Sequence, residues 1–292
     1  VGRFKEKKWG VKMTTNKLKE TSTEYGRDYQ IRQANKYRNR TNNHWQKRIA
    51  LSFNLVNKYV AKSLKKSPEE TIVADFGCSI GTFAIEFSKL GYQAFGIDSD
   101  PSALDVARQL AQEENVTPKF ICGDISEWSD IFPSQIDIAI CFDIFEHLRD
   151  DELGSFLQSV KKTLLKNGYL IFHTFPTQYD YIFFSNKHTH WPLLPFKNIK
   201  TSRFDKLVKI YSSLLDVWFL ITKGKTHKER IKNSRHCNPL TKERLKDIFL
   251  RSGFKIICLE SSQLYPFKKD RQRIFYKQPI TYRNLFGVVK EE

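Results

Sequence analysis

The stretch VADFGCSIGTFAIEF, residues 73–87, runs an apolar strand into a carboxylate, then a turn of small residues, then a helix. In an open α/β sheet, ligands bind beyond the carboxyl ends of the strands. Gly77 and Gly81 permit a tight turn and close backbone approach beside the free N–H groups of a helix start. A turn of this form is suited to a nucleotide-like ligand. The Gly-Cys-Ser-Ile-Gly spacing is also that of a hydrolase nucleophile elbow, but there the serine follows a later strand and has triad partners downstream.

Outward from this turn the chain alternates strand and helix. Strands are expected at 71–76, 93–98, 118–124, 136–142 and 168–175, with helical patterns at 82–90, 101–114 and 151–165 between them. Nearly continuous apolar strands alternating with helices point to a parallel sheet covered on both faces. After Pro176 the alternation stops for some 60 residues, an interval holding YIFFSNKHTHWPLLPF and an amphipathic helix near 203–222. It resumes with a helix at 241–251 and strands FKIICLE (254–260) and RIFYKQ (273–278), an expected antiparallel pair because no helix separates them. Ahead of the sheet, residues 25–66 read as helical. From Trp45, apolar side chains recur at Ile49, Phe53, Val56, Val60 and Leu64, and Pro68 closes the segment.

Carboxylates stand at successive strand ends. Asp75 ends the first strand region, and Asp98 ends the second, where an acid can bind both hydroxyls of a ribose. Asp124 ends the third, at the distance of an adenine amino group, and Asp143 follows the fourth. Any one of them could be an ordinary helix cap; four in series are a ligand-binding edge.

The pieces DFGCSIG, GIDSDPSALDVA, ICGDI, FDIFEHL, LLKNGYLIFHT and HCNPLTKERLKDIFLRSGF together resemble the class I S-adenosylmethionine-dependent methyltransferases, over roughly 70–176 and 236–278. Within these the chain looks most like the small-molecule group containing ubiquinone-biosynthesis, sugar and natural-product methyltransferases. Ser79 departs from the pattern, standing where a middle glycine is usual. The resemblance implies an α/β, Rossmann-like, seven-stranded sheet, mostly parallel with the last strand antiparallel, carrying N-terminal helices and a helical, aromatic insertion after the fifth strand. It implies S-adenosylmethionine as cofactor. Asp75 and the turn Gly77, Cys78, Ser79 and Gly81 would cradle the methionine part. Asp98 would hold the ribose, with Ile97 or Ser99 flanking the adenine; Asp124 and Ile125 would meet its edge and face, and Phe142 and Asp143 would lie under the sulfonium. A dinucleotide reading fits less well, because the third glycine of that fingerprint is missing.

A hydroxyl acceptor must lose a proton as its new bond forms, so a base is expected. His173 closes the fifth strand and is expected to face the cleft. His147 follows Glu146 and has a helix-stabilising role as its bland alternative. His236 opens HCNPLT, where the resembling enzymes place a residue near the acceptor. His188 and His190 form a KHTH pair too sparse for a metal site, and no metal is expected. Tyr37 and Trp45, with Tyr179, Tyr181, Phe183, Phe184 and Trp191 of the insertion, are expected to form a water-excluding lid.

The expected organisation is a basic tail (1–24), a helical cap (25–68), a cofactor-binding core (69–176), a substrate-side insertion (177–240) and the rest of the core sheet (241–292). Either Val1 is a non-methionine start or the chain begins at Met13, the sole methionine, and little folded structure is expected before about residue 20. The N-terminus has no apolar centre of a secretory signal. No run of about 18 uncharged apolar residues occurs, so no membrane-spanning helix is expected. The five cysteines are scattered without a CxxC pair, which reads as reduced thiols in a cytoplasmic protein.

Charge is divided: residues 1–66 carry 18 Lys and Arg against 4 Asp and Glu, residues 67–181 carry 7 against 19, and residues 182–292 carry 24 against 9. Basic flanks around an acidic centre hint at an anionic partner, whether nucleic acid, membrane surface or phosphorylated substrate, or are a solvated lysine-rich surface. The substrate is expected to be anionic or, from the helix near 203–222, lipid-like. The apolar stripe of 203–222 reads as core packing, with an oligomer contact or a peripheral membrane contact as the sharper readings. The function expected is methyl transfer to a small-molecule hydroxyl. An RNA methyltransferase exploiting the basic flanks is the alternative, disfavoured because no Asn/Asp-Pro-Pro-Tyr motif or catalytic Pro-Cys follows the fourth strand. A cofactor-binding scaffold without catalysis is the non-enzyme reading.

Overall fold

The computed structural model describes residues 26–39, 43–123, 135–175, 236–262 and 284–292, with a few positions between 214 and 224. Helix α1 (Arg27–Arg38) precedes α2 (Asn43–Leu55), which continues through a π turn at Val56–Val60 into a last α-turn at Ala61–Leu64. The apolar steps of four, four, three, four and four residues from Trp45 run longer than the 3.6-residue period, and the wider π turn takes up that drift. Lys65, at φ +54°, ends the helix in the left-handed region. The sheet follows as β1 (Ile72–Phe76), β2 (Gln93–Asp98), β3 (Lys119–Cys122), β4 (Ile136–Phe142), β5 (Leu164–Thr174), β6 (Phe254–Ser262) and β7 (Asn284–Glu291). Between them lie α3 (Thr82–Lys89), α4 (Pro101–Glu113), α5 (Asp150–Thr163) and α6 (Lys242–Arg251).

The strand order is β3-β2-β1-β4-β5-β7-β6. The pairs β1/β2, β2/β3, β1/β4 and β4/β5 are parallel, and β7 runs antiparallel between β5 and β6. Strand order reverses between β1 and β4, which opens a crevice at their carboxyl ends. β4 is buried along its whole length. Ile138, Ile140 and Phe142 pack with Phe83, Phe87, Val56 and Val60 on one face, while Ala139 and Cys141 pack with Phe145, Phe156, Phe172 and Phe249 on the other. Period-two alternation between two apolar layers explains why the strand reads as one unbroken apolar run.

Among the described residues β6 pairs with Asn284–Glu291; its expected partner RIFYKQ lies outside them. Gly287 decides that pairing: a Cβ there would lie 2.0 Å from the Cys258 carbonyl oxygen, beside the register shift between Ile256 and Cys258. Only glycine admits so close a backbone. The stripe near 203–222 also differs from the core-packing expectation. Leu214, Val217, Trp218, Leu220 and Ile221 are exposed, and nothing among the described residues covers them. No helix among the described residues is long and apolar enough to cross a membrane.

Candidate functional site

The crevice edge begins at the β1–α3 turn, where Gly77 (φ +67°), Ser79 (+47°) and Gly81 (+75°) all take left-handed backbone. Glycine is required twice over at 77 and 81. A Cβ at Gly77 would meet Ile144 at 2.9 Å, and one at Gly81 would meet the Phe120 ring at 2.6 Å. Cys78 donates its N–H to the Ile97 carbonyl at 3.0 Å, tying the turn to the end of β2.

Asp75 is buried at the end of β1, and its Oδ2 has no hydrogen-bond partner among the described residues. Burial, with Asp98 nearby, holds its carboxyl well above the ordinary range, against the pull of the Ala84 and Phe83 N–H groups at the start of α3. The Thr82 hydroxyl beside it is likewise buried without a partner. Two orphaned polar atoms flanking a left-handed turn fit a group that brings its own donors, such as the amino group of a methionine moiety. Cys78 is buried, and burial pushes its thiol up, with Asp98 and Asp75 adding to the effect.

Asp98 ends β2 and accepts the Ser79 N–H at 2.7 Å on Oδ2 and the Asp100 N–H at 2.9 Å on Oδ1. Burial raises its pKa, opposed by those backbone donors. Both oxygens keep spare lone pairs, as a diol-binding acid needs. Ser99 is exposed at the rim. Asp124, Ile125, His188, His190 and the insertion aromatics Tyr179, Tyr181, Phe183, Phe184 and Trp191 lie outside the described residues.

Beyond β4, Asp143 adopts left-handed backbone at φ +59°. Its Oδ1 lies 2.7 Å from His173 Nδ1 and its Oδ2 2.8 Å from the Arg48 guanidinium. His173 is fully buried, and its Nε2 lies 2.9 Å from Asn284 Oδ1. The expected cleft-facing histidine is instead the centre of a buried chain from α2 to β7, with neither ring nitrogen left over. Phe142 packs edge-on against Phe83 at 4.7 Å and tilts toward His173 at 5.5 Å. Tyr37, expected in a lid, is buried and donates its hydroxyl to Glu86 at 2.6 Å.

A second group forms where the segment after β4 meets the chain ahead of α6. Asn238 donates its backbone N–H to the Glu146 carbonyl at 3.0 Å and its side-chain amide to the Leu148 carbonyl at 2.7 Å. The Cys237 thiol approaches the His147 carbonyl at 3.3 Å. This lacing sets the rings of His147 and His236, both half-buried, 4.9 Å apart. Glu146 is buried beneath them and accepts the Thr174 hydroxyl at 2.8 Å. Burial and the Asp143 charge hold its carboxyl well above the ordinary range. One ligand atom from each of Glu146, His147 and His236 lies within 4.8 Å of the others, a donor set able to hold a metal ion. The sequence shows no such set, because His236 is far along the chain from the Glu-His pair. Arg48 and Gln30 were missed for the same reason.

The sheet order, the left-handed turn and the acids at its edge are those of the class I S-adenosylmethionine-dependent methyltransferase fold. Residues 73–168 match a family model described as a methyltransferase domain. The ubiquinone biosynthesis O-methyltransferase of Pectobacterium atrosepticum is 28% identical over 102 residues, 35% of this chain and 42% of that protein. Its counterpart in Actinobacillus pleuropneumoniae is 31% identical over 106 residues, 35% and 44% of the two chains. The chain thus spans less than half the length of these relatives. Among solved structures, magnesium protoporphyrin IX methyltransferase from Synechocystis, with bound S-adenosylhomocysteine, superposes at TM-score 0.50 with 17% identity over 86% of this chain and 84% of that one. The PH0226 protein of Pyrococcus horikoshii superposes at 0.51 with 16% identity over 83% and 91%. Both share the fold.

Proposed function

We propose that this protein methylates a hydroxyl of a small-molecule acceptor, using S-adenosylmethionine held at the β1, β2 and β4 ends. The cofactor, when bound, supplies an electrophilic methyl group on a sulfonium. The observation that carries the proposal is the orphaned Asp75 Oδ2 beside the left-handed turn, in line with the two-oxygen acid Asp98. Asp75, Thr82 and the turn 77–81 receive the methionine moiety, Asp98 receives the ribose, and Asp124 and Ile125 meet the adenine. Asp143, paired with the Arg48 guanidinium, presents its carboxylate toward the cationic centre.

In-line displacement asks chiefly for alignment, and orientation contributes about 7–11 kcal/mol in well-ordered systems. A positioned base adds roughly 10²–10⁴-fold. His147 or His236 takes the acceptor proton, since both rings are half-exposed and held together by the Asn238 contacts. His173 serves as a positioning residue for Asp143. Oxygen as the acceptor atom is favoured by the relatives, whose names give O-methylation.

A second reading is favoured by the donor cluster: Glu146, His147 and His236 hold a divalent cation, which would polarise the acceptor oxygen. The test of both is incubation with labelled S-adenosylmethionine and a metabolite extract, with mass spectrometry for one added methyl group. Expected is a methylated product that fades in His236→Ala; loss on adding a chelator, with restoration by cobalt, selects the second reading. No labelled product from any extract rejects both.

A further inference from the structure

The N-terminal helix reaches the cofactor edge through one side chain. Gln30 of α1 is buried, 3% exposed. Its Oε1 accepts the Ser79 hydroxyl at 3.0 Å, and its Nε2 donates to Asp100 Oδ2 at 3.3 Å. Ser79 in turn donates its N–H to Asp98 Oδ2, and Asp100 donates its N–H to Asp98 Oδ1. The four residues close a ring: Gln30 to Ser79 to Asp98 to Asp100 and back. Asp100 Oδ1 meanwhile caps α4, accepting the Ser102 N–H at 2.9 Å and hydroxyl at 2.7 Å. Apolar contact reinforces the ring, because Ile80 of the turn lies in one buried cluster with Ala34 and Tyr37 of α1 and with Val106, Leu110 and Ala111 of α4.

Resting on the function proposed above, we infer that Gln30 is a positioning residue for the cofactor site, latching α1 to the glycine turn and fixing the orientation of the ribose-binding acid. Ser79 gains a reason here. A serine in the left-handed region is less comfortable than the usual glycine, yet its hydroxyl gives Gln30 Oε1 a partner inside the turn. The Asp98 carboxylate is held by two backbone donors whose own residues are both held by Gln30. Freeing Gln30 therefore loosens the turn and Asp98 together, although Gln30 need not touch the ligand. By reciprocity, a ligand that fixes the turn and Asp98 tightens α1.

The test combines calorimetric titration of S-adenosylhomocysteine with hydrogen exchange of the 27–38 amides, in the full chain and in Gln30→Ala and Ser79→Gly. Ser79→Gly guards against misfolding, since glycine suits φ +47°. Expected are Kd values raised about tenfold in both variants, the scale of one lost buried hydrogen bond with a stranded partner. In the wild type the ligand slows exchange across 27–38, whereas in both variants it leaves that exchange unchanged. Equal Kd values in all three proteins, or ligand protection of α1 that survives in both variants, overturns the latch alone. No binding of S-adenosylhomocysteine to the wild type overturns the functional proposal as well.

Discussion

Replacing His173 by phenylalanine separates a positioning histidine from a catalytic one. The substitution keeps a ring beside Phe142 but removes both nitrogens, which sit 2.7 Å from Asp143 Oδ1 and 2.9 Å from Asn284 Oδ1. Asn284 is buried, so its amide oxygen loses a partner where water reaches poorly, a loss of about 1–3 kcal/mol. Asp143 keeps Arg48, and its side chain is 26% exposed, so the second loss is smaller, about 1 kcal/mol. The expected destabilisation is about 2–4 kcal/mol. With a urea dependence of about 3 kcal/mol/M, the unfolding midpoint falls by about 1 M. Unfolding is followed by circular dichroism, and methyl transfer is measured well below the transition. The folded variant retains S-adenosylhomocysteine binding within about threefold. A midpoint shifted by less than about 0.2 M together with abolished methyl transfer would refute the positioning role and restore His173 as the base.

Gly81→Ala places a Cβ 2.6 Å from the Phe120 ring at a left-handed φ. A loss of about 2–4 kcal/mol in urea unfolding is expected, and a wild-type midpoint would contradict the packing. The raised carboxyl of Glu146 binds a proton in the folded state at pH values where the unfolded chain, with its ordinary value of 4.5, has released it. Stability from this group therefore falls as pH rises from 4.5 through the folded pKa and then levels. Glu146→Gln, which still accepts the Thr174 hydroxyl, removes that fall. It should unfold at higher urea than wild type at pH 8, with the gap closing at pH 4; a gap independent of pH would refute the assignment. The cation reading predicts that cobalt gives a visible absorption band in the wild type that His236→Ala lacks, and an equal band in both would sink it.

The parallel part of the fold was legible because its signals are local. Strands such as 136–142 are apolar on both faces, and glycines mark the turn at 77 and 81. The acids Asp75, Asp98 and Asp143 stand at the strand ends where their spacing placed them. Partnerships across the chain were not legible. Arg48 reaches Asp143 across 95 positions and Gln30 reaches Ser79 across 49, and no periodicity records which side chains will meet. His173 misled for a related reason: a strand's end faces the cleft, but the alternation of side chains sends this ring into the sheet's own packing. The strand at 284–291 was not anticipated because Gly287 lowers the strand signal of NLFGVVKE, whereas in the fold that glycine makes the close pairing with β6 possible.

The central claim is that the β1–β2 edge holds S-adenosylmethionine through Asp75 and Asp98. Equilibrium dialysis of the radiolabelled cofactor against wild type, Asp98→Ala and Asp75→Asn tests it most directly. Saturable uptake of one cofactor per wild-type chain is predicted, with affinity at least about tenfold weaker in each variant. No uptake by the wild type, or uptake untouched by both substitutions, would contradict it.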